Sequence, residues 1–549
     1  MGSIERPYDV LIIGAGLSGI CTLHHIRQEL PSWSVKVIEA GDNVGGTWYW
    51  NRYPGARFDS ETISYQLSWD KELLQEWDWT ETFASQPETL RYIERVCDKH
   101  KLRDYIQFNT RIRSAHWQED ERTWIFRDDA GEEYRTRFFV SCLGVLSSPT
   151  LPAIPGIENF KGELFHTSRW PKSLDIPQDF AQKRIGVIGT GATGIQTITE
   201  VSKVSSIESL TVFQRTANWA APLRNTRITP ARMKKIKSEY NHLFQRCAAS
   251  PTGFLHQADP RKTCDVTQEE RLALWEKLYS EPGFGKWLGV FSDTYTDRTA
   301  NRLYSEFMAE KIRVRVKDPR IADQLIPKDH GFGLRRVPLE SGYFEAYNNP
   351  KVHLVNLRET PFQKATERGL VTSDGKEHEL DILICATGFN AITGAFSDIE
   401  WHGRDNRPLI SGDSNAVWAG HKTKTFLGIM TQSMPNMFMV LGPHQPFGNI
   451  PRSIEHAAEV VLQLLKFCED NGYSYVEPTK AAVDKWTAHV FACSEGSLIN
   501  EIDSWLTGVN TNVDGKQERT VARYCGSAVE YRNLCQQCRI AGWKGLNFA

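Results

Sequence analysis

Long apolar runs are missing from this 549-residue chain. A helix needs about 18 uninterrupted apolar residues to cross a bilayer, and no window supplies them, so no membrane span is expected. Charge of one sign is missing too. The formal net charge is -2, whereas a general nucleic-acid binder needs a basic surplus to neutralise phosphate. Neither nucleic acid nor a membrane is expected as a partner. Cysteine is sparse, 11 residues in all, and the odd count and wide spacing exclude a disulfide framework and favour reduced thiols. Cys535 and Cys538 form one Cys-x-x-Cys with no second pair nearby to complete a zinc site, so no metal is expected. Residues Met1 to Pro7 lack the charged start, apolar core and small-residue cleavage site of a secretory leader. Arg6 stands where a myristoylation signal at Gly2 wants Ser or Thr. The expected address is cytoplasmic.

What is present begins at Tyr8. Its length gives the chain roughly three to four domains, and a 40% hydrophobic share is enough for ordinary cores. Tyr8 to Ile13 is a short β-branched run, the signature of a buried parallel strand. Gly14, Gly16 and Gly19 follow, for the tight turn, the close approach to a pyrophosphate and the helix–strand contact. The next helix aims its N-terminal amides at phosphate. A second strand, Val35 to Glu39, ends in an acid placed to hold a ribose hydroxyl. Glu39 makes FAD the expected ligand of this unit. The stretch from Gly45, Gly46 and Trp48 through Tyr53, Pro54, Gly55, Arg57 and Asp59 is too rich in Trp, Tyr, Pro and Gly for a helix, and reads as a long loop against a flat ligand. Asp59 and Arg57 form either a local ion pair or part of a site. Residues 86–108 read as an amphipathic helix and 111–140 as antiparallel strands around turns.

The ending Ser141-Cys-Leu-Gly144 recurs as Cys385-Ala386-Thr387-Gly388. Together with the Pro-rich crossing from Ser148 to Gly156, it indicates that the chain leaves its first domain near 145–150 and returns near 385. Between these points Arg184 to Ile188, Gly189, Gly191 and Gly194 repeat the dinucleotide fingerprint. Its second strand ends in Gln214-Arg215-Thr216 instead of an acid. A guanidinium binds the 2′-phosphate that an acid would repel, so this unit favours NADPH. Residues 221–330 carry three helix-period segments and no catalytic motif. Arg335 and Arg336 are adjacent in a Gly-flanked loop, either as surface charge or with divided duties at phosphate and reacting centre.

The expected architecture is α/β, with two Rossmann-like units, the NADP domain inserted in the FAD domain and carrying a helical excursion. The expected parts are 1–147 and 385–549 for FAD, 148–220 and 331–384 for NADP, and 221–330 helical. Residues 441–449 form a turn-dense loop ahead of a helix from about 451 to 471, and 504–510 another loop.

Between the fingerprints lies Phe160-x-Gly162-x-x-x-His166-x-x-x-Trp170-Pro171. With Gly45, Gly46, Trp48, Tyr53, Pro54, Gly55 and Asp59, it resembles both signatures of the Baeyer–Villiger monooxygenases, the single-component FAD- and NADPH-dependent flavoprotein oxygenases. The resemblance covers residues 8 to 510. The Trp170-Pro171 ending is specific, since related flavin N- and S-oxygenases usually lack it.

The resemblance implies that Arg336 is the catalytic arginine over the flavin and Asp59 its carboxylate partner. It implies flavin contacts from Gly14, Gly16, Gly19, Glu39, Gly46, Thr47, Trp48, Asp59 and Tyr65. On the other side it implies NADPH contacts from Gly189, Gly191, Gly194, Arg215, Thr216, Arg335 and Trp505, with Trp505 at the nicotinamide-side ribose. The family more often has Lys where Arg335 stands. His166 is implied as a hinge-packing residue, not a proton carrier. The implied chemistry is reduction of FAD by NADPH, addition of O2 to give a C4a-peroxyflavin, and attack on a small-molecule ketone to give an ester or lactone. The oligomeric state stays open, with a monomer compatible. The alternatives are a flavin N- or S-oxygenase, a disulfide reductase, for which Cys535 and Cys538 are too far from the flavin in sequence, and a non-catalytic nucleotide binder on the same scaffold.

Overall fold

The computed structural model describes residues 6–549; Gly2, considered above for myristoylation, lies outside them. The apolar run Tyr8–Ile13 is a strand at the heart of the larger sheet. From one edge the order is Glu400–His402, Ile112–Gln118, Thr123–Asp128, Glu133–Ser141, Tyr8–Ile13, Val35–Ile38 and Ile106–Gln107, with Met437–Met439 also pairing with Glu133–Ser141. Val10 and Ile12 face a core with the helices Leu17–Glu29 and Ile450–Asn471, while Leu11 and Ile13 face a second core with Trp124, Phe139 and Trp401. Burial on both faces explains why the strand has no polar alternation. The sequence segment 111–140 is the expected antiparallel meander.

The second sheet is wholly parallel: Val352–Asn356, Ser209–Gln214, Arg184–Ile188, Ile382–Cys385 and Glu163–His166. The fold is therefore α/β with two Rossmann-like units, the second inserted in the first. Two crossings run side by side between them. Thr150 N donates to Gly388 O at 3.0 Å, Asn390 N to Ser148 O at 2.8 Å and Ile392 N to Val145 O at 2.8 Å. His166 joins this crossing, since its Nε2 lies 3.0 Å from Gly388 O.

Two local expectations are corrected. The helix expected over 86–108 is Gln86–Lys99; Lys101 takes a left-handed φ of 53°, and a 3-10 turn and the strand Ile106–Gln107 follow. The stretch taken as all loop contains one helical turn, Thr47–Trp50, which buries Trp48 and Tyr49 despite their poor helix propensity. The helical excursion has no core of its own. Pro230–Ala249 packs Met233, Ile236 and Tyr240 on the first unit's core. Gln268–Ser280 and Arg298–Arg315 pack Trp275, Tyr304 and Ile312 on the second.

Candidate active site

One cavity of about 1340 Å³ reaches both fingerprints. On the first side Gly14 has φ 103°, and a Cβ there would lie 2.5 Å from Cys142 O, so only glycine lets the turn close on the returning strand. Gly189 repeats this with φ 105° and Ala386 O at 2.6 Å. Gly19 and Gly194, expected among the cofactor contacts, do not line the cavity. A side chain on either would strike the carbonyl of its own first glycine, Gly14 or Gly189, so they serve helix–strand packing. The helices that begin after Gly16 and Gly191 have no side-chain cap, which leaves their first-turn amides to an anion. Nothing lies within 4 Å of where a Gly191 Cβ would be, and a Gly16 Cβ would meet only Gly46.

Glu39 is buried at the end of its strand, and its carboxylate accepts from Ala15 N and Gly41 N, both at 2.7 Å. Burial raises its pKa and those amides oppose the rise. Thr47 and Trp48 line the cavity from the helical turn. Trp48 Nε1 donates to Tyr65 OH at 3.3 Å, and Tyr65 stacks on Phe58 with centroids 4.2 Å apart. Burial pushes the Tyr65 hydroxyl up to about 12, so it stays a neutral donor at physiological pH.

On the second side Arg215 and Thr216 follow the strand Ser209–Gln214, and Arg335 reaches the same corner. Arg358 is a residue that the sequence reading missed. Its Nη2 contacts Asp329 Oδ2 at 2.7 Å and its Nε donates to Arg215 O at 3.0 Å. Arg335 stands 3.7 Å from the same Asp329 oxygen. Two guanidinium groups thus share one carboxylate, with the Arg215 guanidinium beside them donating to Thr511 Oγ1 at 2.9 Å. The His330 hydrogen bond and the flanking arginines hold Asp329 well below the usual carboxylate range. The available signal for Arg358 was its place just after Val352–Asn356, the strand beside Ser209–Gln214, because ligands collect at the carboxyl ends of parallel strands. Trp505 opens a 3-10 turn capped by Ser504 and lines the cavity.

Asp59 and Arg336 meet between the two cradles, with Nη2–Oδ2 at 2.8 Å. Leu339 N also donates to Asp59 Oδ2, at 3.2 Å. Burial raises the Asp59 carboxyl, and Arg336 pulls it back. Arg57 is not its partner: that guanidinium pairs with Glu81 at 3.3 Å and donates to Phe83 O. Tyr53 OH donates to Gln196 Oε1 at 2.8 Å, joining the loop to the helix after the second fingerprint.

The open glycine turns, the uncapped helix N-termini and an arginine cluster with positive excess fit two dinucleotides, one carrying an additional phosphate. A pair of such cradles on one cavity with an ion pair between them defines a two-dinucleotide oxidoreductase. Residues 8–263 match the family described as flavin-binding monooxygenase-like. The chain is 42% identical over 546 residues to 2-oxo-Δ3-4,5,5-trimethylcyclopentenylacetyl-CoA monooxygenase of Pseudomonas putida, covering 98% of each. It is 37% identical over 546 residues to cyclohexanone 1,2-monooxygenase of Acinetobacter sp., covering 99% of this chain and 97% of the relative. The crystal structure of OTEMO in complex with FAD and NADP superposes with a TM-score of 0.93 at 40% identity, over 99% of this chain and 100% of that one. The chain belongs to the flavin-binding monooxygenase-like family, among its Baeyer–Villiger monooxygenases.

Proposed function

We propose that this enzyme inserts one oxygen atom of O2 next to the carbonyl of a small-molecule ketone, giving an ester or lactone, with FAD in the first cradle and NADPH in the second. Bound FAD, once reduced by NADPH, supplies the activation of dioxygen. The chain's own residues supply position, charge and dryness. Gly14, Gly16, Gly46, Thr47, Trp48 and Tyr65 seat the flavin nucleotide, with Glu39 organising the turn around its ribose. Gly189 and Gly191 seat the second pyrophosphate. Arg215, Thr216 and Arg335, joined by Arg358, bind the 2′-phosphate, and Trp505 closes on the nicotinamide-side ribose.

Arg336 is the catalytic residue. Its guanidinium stabilises negative charge on the reacting oxygen, and a preorganised donor of this kind is worth on the order of 100- to 1000-fold in rate. Asp59 is its positioning partner. The aromatic groups Trp48, Phe58 and Tyr65 keep water from that charge. The side-by-side crossings and His166 give the two units a common hinge. The enzyme's address, read from 11 unpaired thiols, is the cytoplasm.

The observation that carries this reading is the 2.8 Å Asp59–Arg336 pair between two nucleotide cradles in one cavity. Its test is product analysis after aerobic incubation with NADPH and a panel of cyclic, linear and aryl ketones. Ester or lactone is expected. NADPH consumption without oxygen insertion into any ketone overturns it.

A further inference from the structure

Of the cavity's cations that this scheme does not use, Arg57 pairs with Glu81, Arg111 lies near Glu39, and Arg169 donates to Ser168 O and sits over Trp50, which leaves Arg523. Arg523 lines the cavity, its Nε is buried without a hydrogen-bond partner, and its guanidinium makes no ion pair among the described residues. Its backbone is pinned on both sides: His444 N donates to Ala522 O at 3.1 Å and Tyr524 N to Gln445 O at 3.1 Å. That places Arg523 beside the loop carrying Phe447, next to the apolar patch of Ala522, Leu146 and Trp505.

Five acids line the cavity, and each is committed elsewhere. Glu39 takes backbone amides, Asp59 takes Arg336, and Asp329 takes Arg335 and Arg358. Asp503 takes Arg519 at 2.5 Å, and Asp398 lies by Arg169 and Ser148. The cofactor phosphates are provided for as well, by the two uncapped helix N-termini and the arginine cluster. A guanidinium with a desolvated nitrogen and no counter-charge is costly unless a ligand brings one.

We propose that Arg523 is an anion-recognising residue of the ketone subsite, and that the preferred substrates are ketones carrying an anionic oxygen group. This rests on the oxygenase reading above. A guanidinium fork accepts a carboxylate or a phosphate bidentately, so the anion is either a carboxylate on the ketone or the phosphate of a bulkier ester. The apolar patch beside Arg523 takes the hydrocarbon between carbonyl and anion.

The test compares a cyclic ketone bearing an acetate side chain with its methyl ester and its coenzyme A thioester, using the holoenzyme. In the parent, kcat/KM for the acid, the thioester or both exceeds that for the methyl ester. Arg523→Gln lowers the ratio of anionic to neutral substrate about 10- to 100-fold, chiefly through KM, as expected for one charged hydrogen-bond partner. Arg523→Lys recovers part of it. Which anionic substrate shows the loss identifies the source. An unchanged ratio in Arg523→Gln, or an equal rise in KM for NADPH, overturns the inference while ester formation from neutral ketones stands. If no ketone is oxygenated, the oxygenase reading falls instead. Titration of oxidised holoenzyme with the acid, followed by the flavin difference spectrum, then still decides: binding weakened by Arg523→Gln upholds the anion site, and equal binding removes it.

Discussion

Asp59 and Arg336 lie far apart in the chain, yet one oxygen of the buried carboxylate accepts from the guanidinium at 2.8 Å while the other has no partner. A carboxylate held this way is uncompensated if Arg336 leaves. Arg336→Ala is therefore expected to keep flavin reduction by NADPH and lose ester formation. Anaerobic stopped-flow of flavin absorbance measures the first, product analysis the second. Near-parental ketone conversion would remove the role given to Arg336.

Asp59→Asn keeps the shape of the pair and removes its charge. Arg336 then loses the partner that fixes its direction, and ketone oxidation should fall by about 10-fold or more while FAD stays bound. If kcat for the ketone is unchanged in FAD-replete Asp59→Asn, Asp59 does not position Arg336.

The sequence made much of this site legible. Both fingerprints, Glu39, Arg215 and the Arg335–Arg336 pair are local patterns whose chemistry depends on spacing within one strand–turn–helix unit. The partner of Arg57 was not legible, because Glu81 reaches it only when the chain folds back on itself. Nor was Arg358, whose relation to Arg215 depends on the order of parallel strands. The helical turn Thr47–Trp50 was hidden for a different reason. Its aromatic side chains oppose helix by propensity, and burial against the first unit's core outweighs that. Packing likewise divides residues 221–330 between two cores, which periodicity along the chain cannot express.

Arg358→Ala tests the phosphate cluster. Removing one of three guanidiniums should raise KM for NADPH by roughly 10-fold, the worth of one charge-assisted contact. KM for NADH, which has no 2′-phosphate, should move little, and the NADPH effect should shrink with added salt. Equal shifts for the two coenzymes would place Arg358 outside the phosphate site.

Gly14→Ala and Gly189→Ala separate the two cradles. Each puts a Cβ at left-handed φ against a carbonyl of the returning strand, with a strain of about 1–3 kcal/mol before any clash. Gly14→Ala is expected to purify depleted in FAD. Gly189→Ala is expected to remain yellow but to bleach slowly with NADPH. If both variants lose the same ligand, the assignment of flavin to the first cradle and NADPH to the second is wrong.

His166 supplies the pH dependence. Its Nδ1 accepts from Ser168 N at 3.1 Å, so Nε2 carries the proton donated to Gly388 O at 3.0 Å, and the ring is neutral. Burial lowers its pKa to about 4, against about 6.5 in the unfolded chain. Between those values the unfolded chain holds the extra proton. Stability therefore rises with pH across that window and is lost as pH falls from about 6.5 towards about 4. Protonation at Nδ1 sets two donors against each other beside the crossing that joins the two units. Denaturant unfolding from pH 7 down to pH 4.5 should show this loss, shared with the buried His444, which burial also lowers to about 4. His166→Gln should make the loss shallower by up to one proton's worth, about 1.4 kcal/mol per pH unit. An identical acid slope in parent and variant would mean that His166 is already protonated in the fold, and that its hydrogen bond to Gly388 does not depend on the neutral ring.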